Sequence, residues 1–426
     1  MGQLHSIEEQ AESVILVGAQ VGRDQRADSV NDSLDELDLL CQTAGAVIAQ
    51  RLIVRMPKPH PGTFIGTGKA KEIGELVKAR GISTVVFDDD LHPAQSRNLE
   101  ELIMTKVIDR TQVILDIFAQ RARTAEGRMQ IELAQLEYLL PRLRRMWTHL
   151  ERQRGGIGMH GPGEKQLEMD RRRIEEKIER HQKELEKVRT RRNEQRRGRH
   201  RHGWAVISLV GYTNAGKSTL LNALTGAEVF AQDKLFATLD PTTRQLKLPN
   251  NQQALLTDTV GFIRKLPHGI VESFKATLEE VVESDILIHV VDSSHPMVEE
   301  QIAAVEKVLE EIGVRDTPVI PAINKIDLSG KVHLRRLADL LPGSVEISAK
   351  DHTGLDALLN AVTDHLRDRS VQLKLRIPPK EGRVLSTLRA QGTVHSEEYD
   401  GEILVVEASI PSRLAGIFAP FAVEPA

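Results

Sequence analysis

The sequence predicts an α/β protein. Its largest part is a doubly wound, mostly parallel sheet, preceded by a small α/β region with a long antiparallel helical hairpin and followed by a small α/β module. Three observations predict this. Short apolar runs alternate with helical stretches from residue 13 to about 125, and again from 203 to 370, as strands and covering helices do. Residues 126–202 hold helical spacing and dense charge without strand patterning. Residues 371–426 return to strand, helix and strand, with no chemical motif of their own. The expected regions are therefore 1–125, 126–202, 203–370 and 371–426.

The length of 426 residues exceeds what one hydrophobic core organises, so several domains are required. Hydrophobic residues make up 40% and charged residues 28%, an ordinary globular composition. The single cysteine, Cys41, cannot form an internal disulfide, and no stretch approaches the roughly 18 apolar residues that cross a bilayer. A monomer in a reducing cytoplasm, without stable membrane insertion, is the expectation. Residues Met1 to Ser6 fit the loose myristoylation pattern, so partial membrane association stays open as a minor alternative.

The net charge of −4 conceals an asymmetry. Residues 142–201 hold 20 basic and 10 acidic side chains, whereas the remainder holds 37 basic and 51 acidic. A local basic element on an acidic protein suits a polyanion through release of condensed counterions, and nucleic acid becomes a candidate partner.

In the first region, strands are expected at 14–17, 47–49 and 84–87. Gly62-Thr63-Phe64-Ile65-Gly66-Thr67-Gly68-Lys69 looks like a phosphate loop but lacks the full spacing, and it reads as a turn opening a helix. From 128 to 154, Ile131, Leu133, Leu136, Leu139, Leu140 and Leu143 follow helical spacing, with a kink expected at Pro141. Glycines at 155–163 stop that helix. From 164 to 197, Leu167, Ile174, Ile178, Leu185 and Val188 form a weak seam interrupted by Arg171, His181 and Arg192. A hairpin would bury the seam and project the glycine-rich loop. The plainer alternative is a spacer helix with solvated charges.

From 203 onward the strands expected are 205–210, 254–257, 286–291, 319–322 and 345–347. Gly211-Tyr212-Thr213-Asn214-Ala215-Gly216-Lys217-Ser218 has phosphate-loop spacing and lies between the first of these strands and a helix that takes in Thr219. Its glycines let backbone N–H groups turn toward a β-phosphate. Lys217 supplies charge, and Ser218 offers a hydroxyl to Mg²⁺. Asp258-Thr259-Val260-Gly261 ends another strand; Asp258 can hold the metal through water, and the Gly261 amide can sense a γ-phosphate. Between them, Phe236-Ala237-Thr238-Leu239-Asp240-Pro241-Thr242-Thr243 offers several hydroxyls to the metal, and spacing does not decide which one binds it. Asn324-Lys325-Ile326-Asp327 follows the 319–322 strand; a carboxylate at Asp327 accepts two hydrogen bonds from guanine, a pair that adenine cannot donate. Ser348-Ala349-Lys350 follows the last strand and could close over the base. Four motifs in order, each at a strand's carboxyl end, point to a P-loop GTPase domain using GTP and GDP with Mg²⁺.

These residues resemble the translational GTPase class and, within it, the HflX family. Residues 86–95, Asp109-Arg110-Thr111 and the glycine-rich loop at 155–163 are similar to that family as well, so the resemblance covers about 13–370. It implies a ribosome-associated GTPase that binds the large subunit and its RNA and splits stalled or idle ribosomes. It also implies Thr238 as the threonine on Mg²⁺, and Lys217, Thr238 and Gly261 as the groups serving hydrolysis. Phe262 stands where many GTPases place a water-orienting glutamine, a replacement the family resembles, which implies slow hydrolysis completed by a partner. Asn214 resembles the phosphate-loop asparagine of potassium-activated GTPases, adding K⁺ to the implied cations.

A GTP-gated scaffold in ribosome assembly, with catalysis secondary, is the competing reading; ATP-driven RNA remodelling is disfavoured by Asp327. Aromatics are 3% of the chain, and no stacking platform for single strands stands out. Asp327→Asn should weaken GTP binding by about 1–3 kcal/mol, roughly 5- to 150-fold, without weakening ATP binding, as titration with fluorescent nucleotides would read.

Overall fold

The computed structural model describes residues 12–22, 27–146, 162–201, 204–227, 235–265, 275–315, 317–367, 370–411 and 414–423. The described residues divide into two compact units, one within residues 1–186 and the other within residues 187–426.

The first unit is built on four parallel strands, β1 (Ser13–Val21), β2 (Val47–Met56), β3 (Thr84–Phe87) and β4 (Lys106–Asp109), in the order β2-β1-β3-β4. Strand β3 is buried throughout, as a parallel strand covered on both faces must be, while β2 at the edge alternates. Helices α1 (Ala27–Thr43), α2 (Thr67–Arg80), α3 (Pro93–Ile103) and α4 (Arg110–Arg121) cover the sheet. Ile73 and Val77 of α2 and Leu99 and Ile103 of α3 join Ile15, Val17, Val85 and Phe87 in one core. The glycine-rich turn at 62–69 opens α2, with extended Gly66 as its N-cap. Cys41 is buried and its thiol is pushed up to about 12, first by burial and then by Asp38, so it stays protonated.

A polar cluster crosses the carboxyl ends of β3 and β4. Arg110 is 1% exposed and pairs with Asp88 (2.6 Å) and Glu36, while Ser33 donates to Asp88 (2.7 Å). The buried Asp109 caps α4 through the Gln112 amide and accepts from the Leu91 amide, the Tyr138 hydroxyl (2.8 Å) and Arg142 (3.0 Å). Tyr138 and Arg142 lie on α5 (Ala125–Met146), which remains helical through Pro141; the Arg142 guanidinium also stacks 3.4 Å from the Tyr138 ring centre.

Helix α6 (Pro162–Arg201) runs for 40 residues. It meets α5 through Lys177 and His181 on Glu132, and through Gln182 on Glu137. The buried His181, which interrupts the apolar seam, is thus met by a carboxylate. The glycine-rich loop at 155–163 falls almost wholly outside the described residues.

The second unit holds β5 (Ala205–Gly211), β6 (Thr242–Lys247), β7 (Gln253–Asp258), β8 (Ile286–Asp292), β9 (Val319–Asn324) and β10 (Val345–Glu346), in the order β10-β9-β8-β5-β7-β6. All pairs are parallel except β6 with β7, and β6 is a strand the pattern did not predict. Helices α7 (Lys217–Thr225), α8 (Lys275–Val282), α9 (Val298–Glu311), α10 (Lys331–Leu340) and α11 (Leu355–Arg367) accompany the sheet. Ile207, Leu209, Leu256, Ile288 and Val290 pack against Leu220 and Leu221 of α7 and Leu358 and Val362 of α11. The opposite face packs Val291 and Ile323 against Ile302 of α9 and Leu334 and Leu337 of α10. The parallel strands β5, β7, β8 and β9 end in Gly211, Asp258, Asp292 and Asn324 along one edge of the sheet, where an open α/β fold binds its ligand.

A third sheet, β11 (Ser370–Ile377), β12 (Thr393–Asp400) and β13 (Ile403–Pro411), is antiparallel in the order β11-β13-β12. With α12 (Gly382–Gln391) it encloses a core of Leu375, Leu388, Val406 and Phe418.

Arg110→Ala would leave two carboxylates facing each other without their cation. It should lower unfolding stability of the first unit by about 3–5 kcal/mol, read as an earlier denaturant transition of the full chain.

Candidate functional site

The edge where β5, β7, β8 and β9 end brings the predicted residues together. Lys217 opens α7 and is 6% exposed; its Nζ donates to the Gly211 and Tyr212 carbonyls (3.1 and 2.8 Å), so the phosphate loop wraps its own cation. Ser218 Oγ stands 2.6 Å from Asp258 Oδ2 and 2.8 Å from Thr238 Oγ1, and Thr238 donates to the same Asp258 oxygen at 2.8 Å. Three oxygen-bearing side chains from three separate segments thus converge. The other carboxylate oxygen of Asp258 is buried without a hydrogen-bond partner among the described residues. A hard dication fits this donor set, and Ser218, Thr238 and Asp258 are the residues that would hold Mg²⁺, Asp258 directly or through water.

Burial pushes the Asp258 carboxyl up, opposed by the charge of Lys217 and by hydrogen bonds from Ser218, Thr238 and the Thr259 amide. Burial pushes Lys217 down to about 8, with Asp258 pulling the other way. His289, in the middle of β8, is pushed down to about 4 by burial and then by Lys217, and is therefore neutral at pH 7.

Gly261 follows Asp258-Thr259-Val260 and lies against the phosphate loop: a Cβ there would stand 2.7 Å from Thr213 Cα and 3.1 Å from Lys217 Nζ. Thr259 is anchored through its hydroxyl on the Leu209 carbonyl (2.6 Å). Phe262 is 2% exposed and pairs by backbone with the loop, Thr213 N to Phe262 O at 2.7 Å and Phe262 N to Gly211 O at 3.1 Å. In the segment before β6, Phe236 and Leu239 are buried while Ala237, Thr238 and Asp240 are half-buried. Thr213, Asn214, Gly216, Thr219, Phe236, Ala237, Thr238 and Gly261 share a small pocket with Lys217.

Beside it lies a second pocket of about 320 Å³, lined by Thr219, Asn324, Lys325, Asp327, Leu328, Ser348, Ala349 and Lys350. Asn324 organises it: its amide donates to the Ala215 carbonyl (2.8 Å), and its side-chain oxygen accepts from the Ala349 amide (3.0 Å). Gly216 makes room for that amide, with φ of 100° and a Cβ position only 2.3 Å from Asn324 Nδ2. Ser348 donates to Asp327 Oδ1 at 2.8 Å, orienting the carboxylate that would read the base. Ile326 begins the short 3₁₀ turn that carries Asp327.

Sequence reasoning missed two contributors. Asp292, ending β8, pairs with Lys325 at 2.6 Å, and Ser293 donates its amide and hydroxyl to the Asn324 carbonyl. Asp292 ends a largely apolar strand just as Asp258 does, and that was the available signal.

Sequence comparison is decisive at this point. A "GTPase HflX" of Lacrimispora saccharolytica is 48% identical over 415 residues, 97% of this chain and 97% of that protein.

The chain belongs to the HflX family of GTPases.

The "GTPase HflX" of Escherichia coli (strain K12) is 48% identical, over 87% of this chain and 88% of its own, and that of Flavobacterium psychrophilum 51% identical, over 74% and 76%. Three family patterns match in succession: "GTP-binding GTPase N-terminal" at residues 31–119, "GTP-binding GTPase Middle Region" at 121–199 and "50S ribosome-binding GTPase" at 206–325. Among solved structures, a GTP-binding protein of the archaeon Sulfolobus solfataricus in complex with GDP aligns over 83% of this chain and 98% of its own, at 27% identity and a TM-score of 0.43. As an HflX GTPase of the P-loop class, the chain hydrolyses GTP. No helix among the described residues is long and apolar enough to cross a membrane.

Phosphates beside Lys217 favour its charged form, so the GTP complex keeps the proton to higher pH than the free protein does. Affinity for GTP should hold below pH 8 and fall toward tenfold per pH unit above it, as titrations between pH 7 and 9 would show.

Proposed function

We propose that the chain is a GTP-driven switch that docks on the large ribosomal subunit while GTP is bound, separates stalled or idle ribosomes and leaves on hydrolysis. The observation that carries the switch is the convergence of Ser218, Thr238 and Asp258, contributed by the phosphate loop, the segment before β6 and the end of β7. Ser218 and Thr238, with Asp258, would hold Mg²⁺, which would supply positive charge against the phosphates. Lys217 serves the same phosphates, the Gly261 amide meets the terminal phosphate, and Asn324, Asp327 and Ser348 to Lys350 hold guanine. Loss of the γ-phosphate removes the partner of Gly261 and releases the Thr238 segment.

Hydrolysis without a partner is slow in this reading. Phe262 has no group that orients water, and its buried ring stands in the place of one. The large subunit then completes the site, and K⁺ near Asn214 is a further requirement of the same machinery.

Docking draws on the basic surface of α6. Arg171 and Arg173 have acidic neighbours at Glu175 (2.8 Å) and Asp170 (3.8 Å), whereas Arg172 and Arg191 are exposed. Ion pairs this open to solvent contribute little, so a phosphate can replace the carboxylate in them. The description "50S ribosome-binding GTPase" for the family matched at 206–325 supports the same partner.

GTP turnover, measured alone and with large subunits at matched K⁺ and Na⁺, should rise toward the roughly 10³- to 10⁵-fold that completion of such a site by an outside group provides. Equal turnover with and without subunits would remove the ribosome as activator. Reversing Arg172, Arg173 and Arg191 to glutamate should weaken subunit binding and reduce its salt slope by about one per lost phosphate contact; an unchanged slope would rule out contact through α6.

A further inference from the structure

Two hydroxyls of the phosphate loop are engaged neither with Asp258 nor with each other. Tyr212 is 4% exposed, and its phenol oxygen accepts a hydrogen bond from the Arg264 backbone amide at 2.8 Å. Thr213, the next residue, is 5% exposed, and its Oγ1 accepts from the Phe236 backbone amide at 2.9 Å. The two amides belong to different segments. Phe236 lies two residues before Thr238, and Arg264 three residues after Gly261, so each hydroxyl holds one of the two segments that meet the terminal phosphate.

The surrounding geometry makes these clasps consequential. Phe236 has a φ of 53°, in the left-handed region that a bulky side chain adopts only when its surroundings enforce it, and its ring is 1% exposed. Backbone pairing of Phe262 with Gly211 and Thr213 continues the Tyr212 clasp into a short parallel bridge. A Cβ on Gly261 would stand only 2.7 Å from Thr213 Cα, so the two backbones pass close to each other. A displacement of Thr213 would therefore move both segments at once.

We propose that Tyr212 and Thr213 are positioning residues that fasten the segments around Phe236 and Arg264 to the phosphate loop, holding Thr238 and Gly261 in the arrangement a nucleoside triphosphate requires. This rests on reading residues 211–218 as the phosphate loop. The closed arrangement matters for a triphosphate and not for a diphosphate, which leaves Thr238 and Gly261 without their phosphate partner. Removing either acceptor strands an amide that the closed state would bury, so the closed state is disfavoured relative to an open one in which water satisfies that amide. GTP must then close the site out of its own binding energy, and GDP need not.

The test compares Thr213→Val, Thr213→Ser and Tyr212→Phe in the full chain. Affinities for fluorescent GDP and for a nonhydrolysable GTP analogue are measured with Mg²⁺, together with single-turnover hydrolysis. Thr213→Val and Tyr212→Phe should each lose about tenfold in analogue affinity and in turnover, with GDP affinity within about twofold of the parent. Thr213→Ser, which keeps the acceptor, should restore the parent values. An unchanged ratio of analogue to GDP affinity in both variants would overturn the proposal; so would parallel loss of both nucleotides, which marks a merely structural role. Both substitutions nearly preserve shape, and if Thr213→Val melts early, Tyr212→Phe decides alone. Lys217→Ala separates the underlying reading: abolished binding there with an unchanged ratio in the other variants refutes the clasps only, whereas retained binding there refutes the phosphate-loop assignment.

Discussion

The side-chain amide of Asn324 is the joint on which the nucleotide pocket depends. It is 2% exposed, ends β9, and holds the phosphate loop by the Ala215 carbonyl and the last loop by the Ala349 amide. An amide group alone offers a donor and an acceptor a little over 2 Å apart on one rigid plane, so aspartate could satisfy only one side of the joint. Gly216 follows from the same constraint, because any Cβ there would occupy the space of that amide. The neighbouring ion pair of Lys325 with Asp292 and the bond from Ser348 to Asp327 then fix the two segments that would flank the base. The parts that would face phosphate and the parts that would face guanine are thereby joined as one piece.

The electrostatics of that piece are poised for a ligand of high negative charge. Lys217 is buried among carbonyls, with Asp258 and its two hydroxyl donors as the nearest counterweight. Burial weakens the hold of Lys217 on its proton and of Asp258 on its charge in the same way, by withdrawing water from both. Phosphate oxygens and a dication would supply the charges that each lacks. His289 beside them stays neutral, so it does not compete with Lys217 for the charge of the phosphates.

The sequence made the strand ends legible because parallel strands buried on both faces read as mainly apolar runs, and the chemistry lies at or just after the end of each run. Phosphate-loop spacing and the asparagine-lysine-x-aspartate segment therefore located Lys217, Asn324 and Asp327 without any structure. Strand β6 was not legible for the complementary reason. It is an edge strand, Thr242–Lys247, in which Leu246 is the single buried side chain, so its pattern is indistinguishable from a polar loop. The Arg110 cluster was hidden too, since Glu36, Asp88, Asp109 and Tyr138 are far apart in sequence and meet only after the sheet has formed. Choosing Thr238 among several hydroxyls required either family resemblance or the convergence on Asp258 that folding provides.

Phe262 carries the proposed catalytic shortfall within a well-ordered site. A flexible glutamine at that place could swing toward an attacking water. The phenyl ring instead lies buried, with its backbone tied to Gly211 and Thr213, and contributes order without chemistry. On the function proposed above, the segment following Gly261 would be held close to the terminal phosphate while the group that aligns water is missing. Such a site would bind GTP in a defined geometry and wait. The rate would then be governed by whatever surface brings the missing polar group to the edge where β5 and β7 end, and the timing of hydrolysis would pass from the GTPase to its partner.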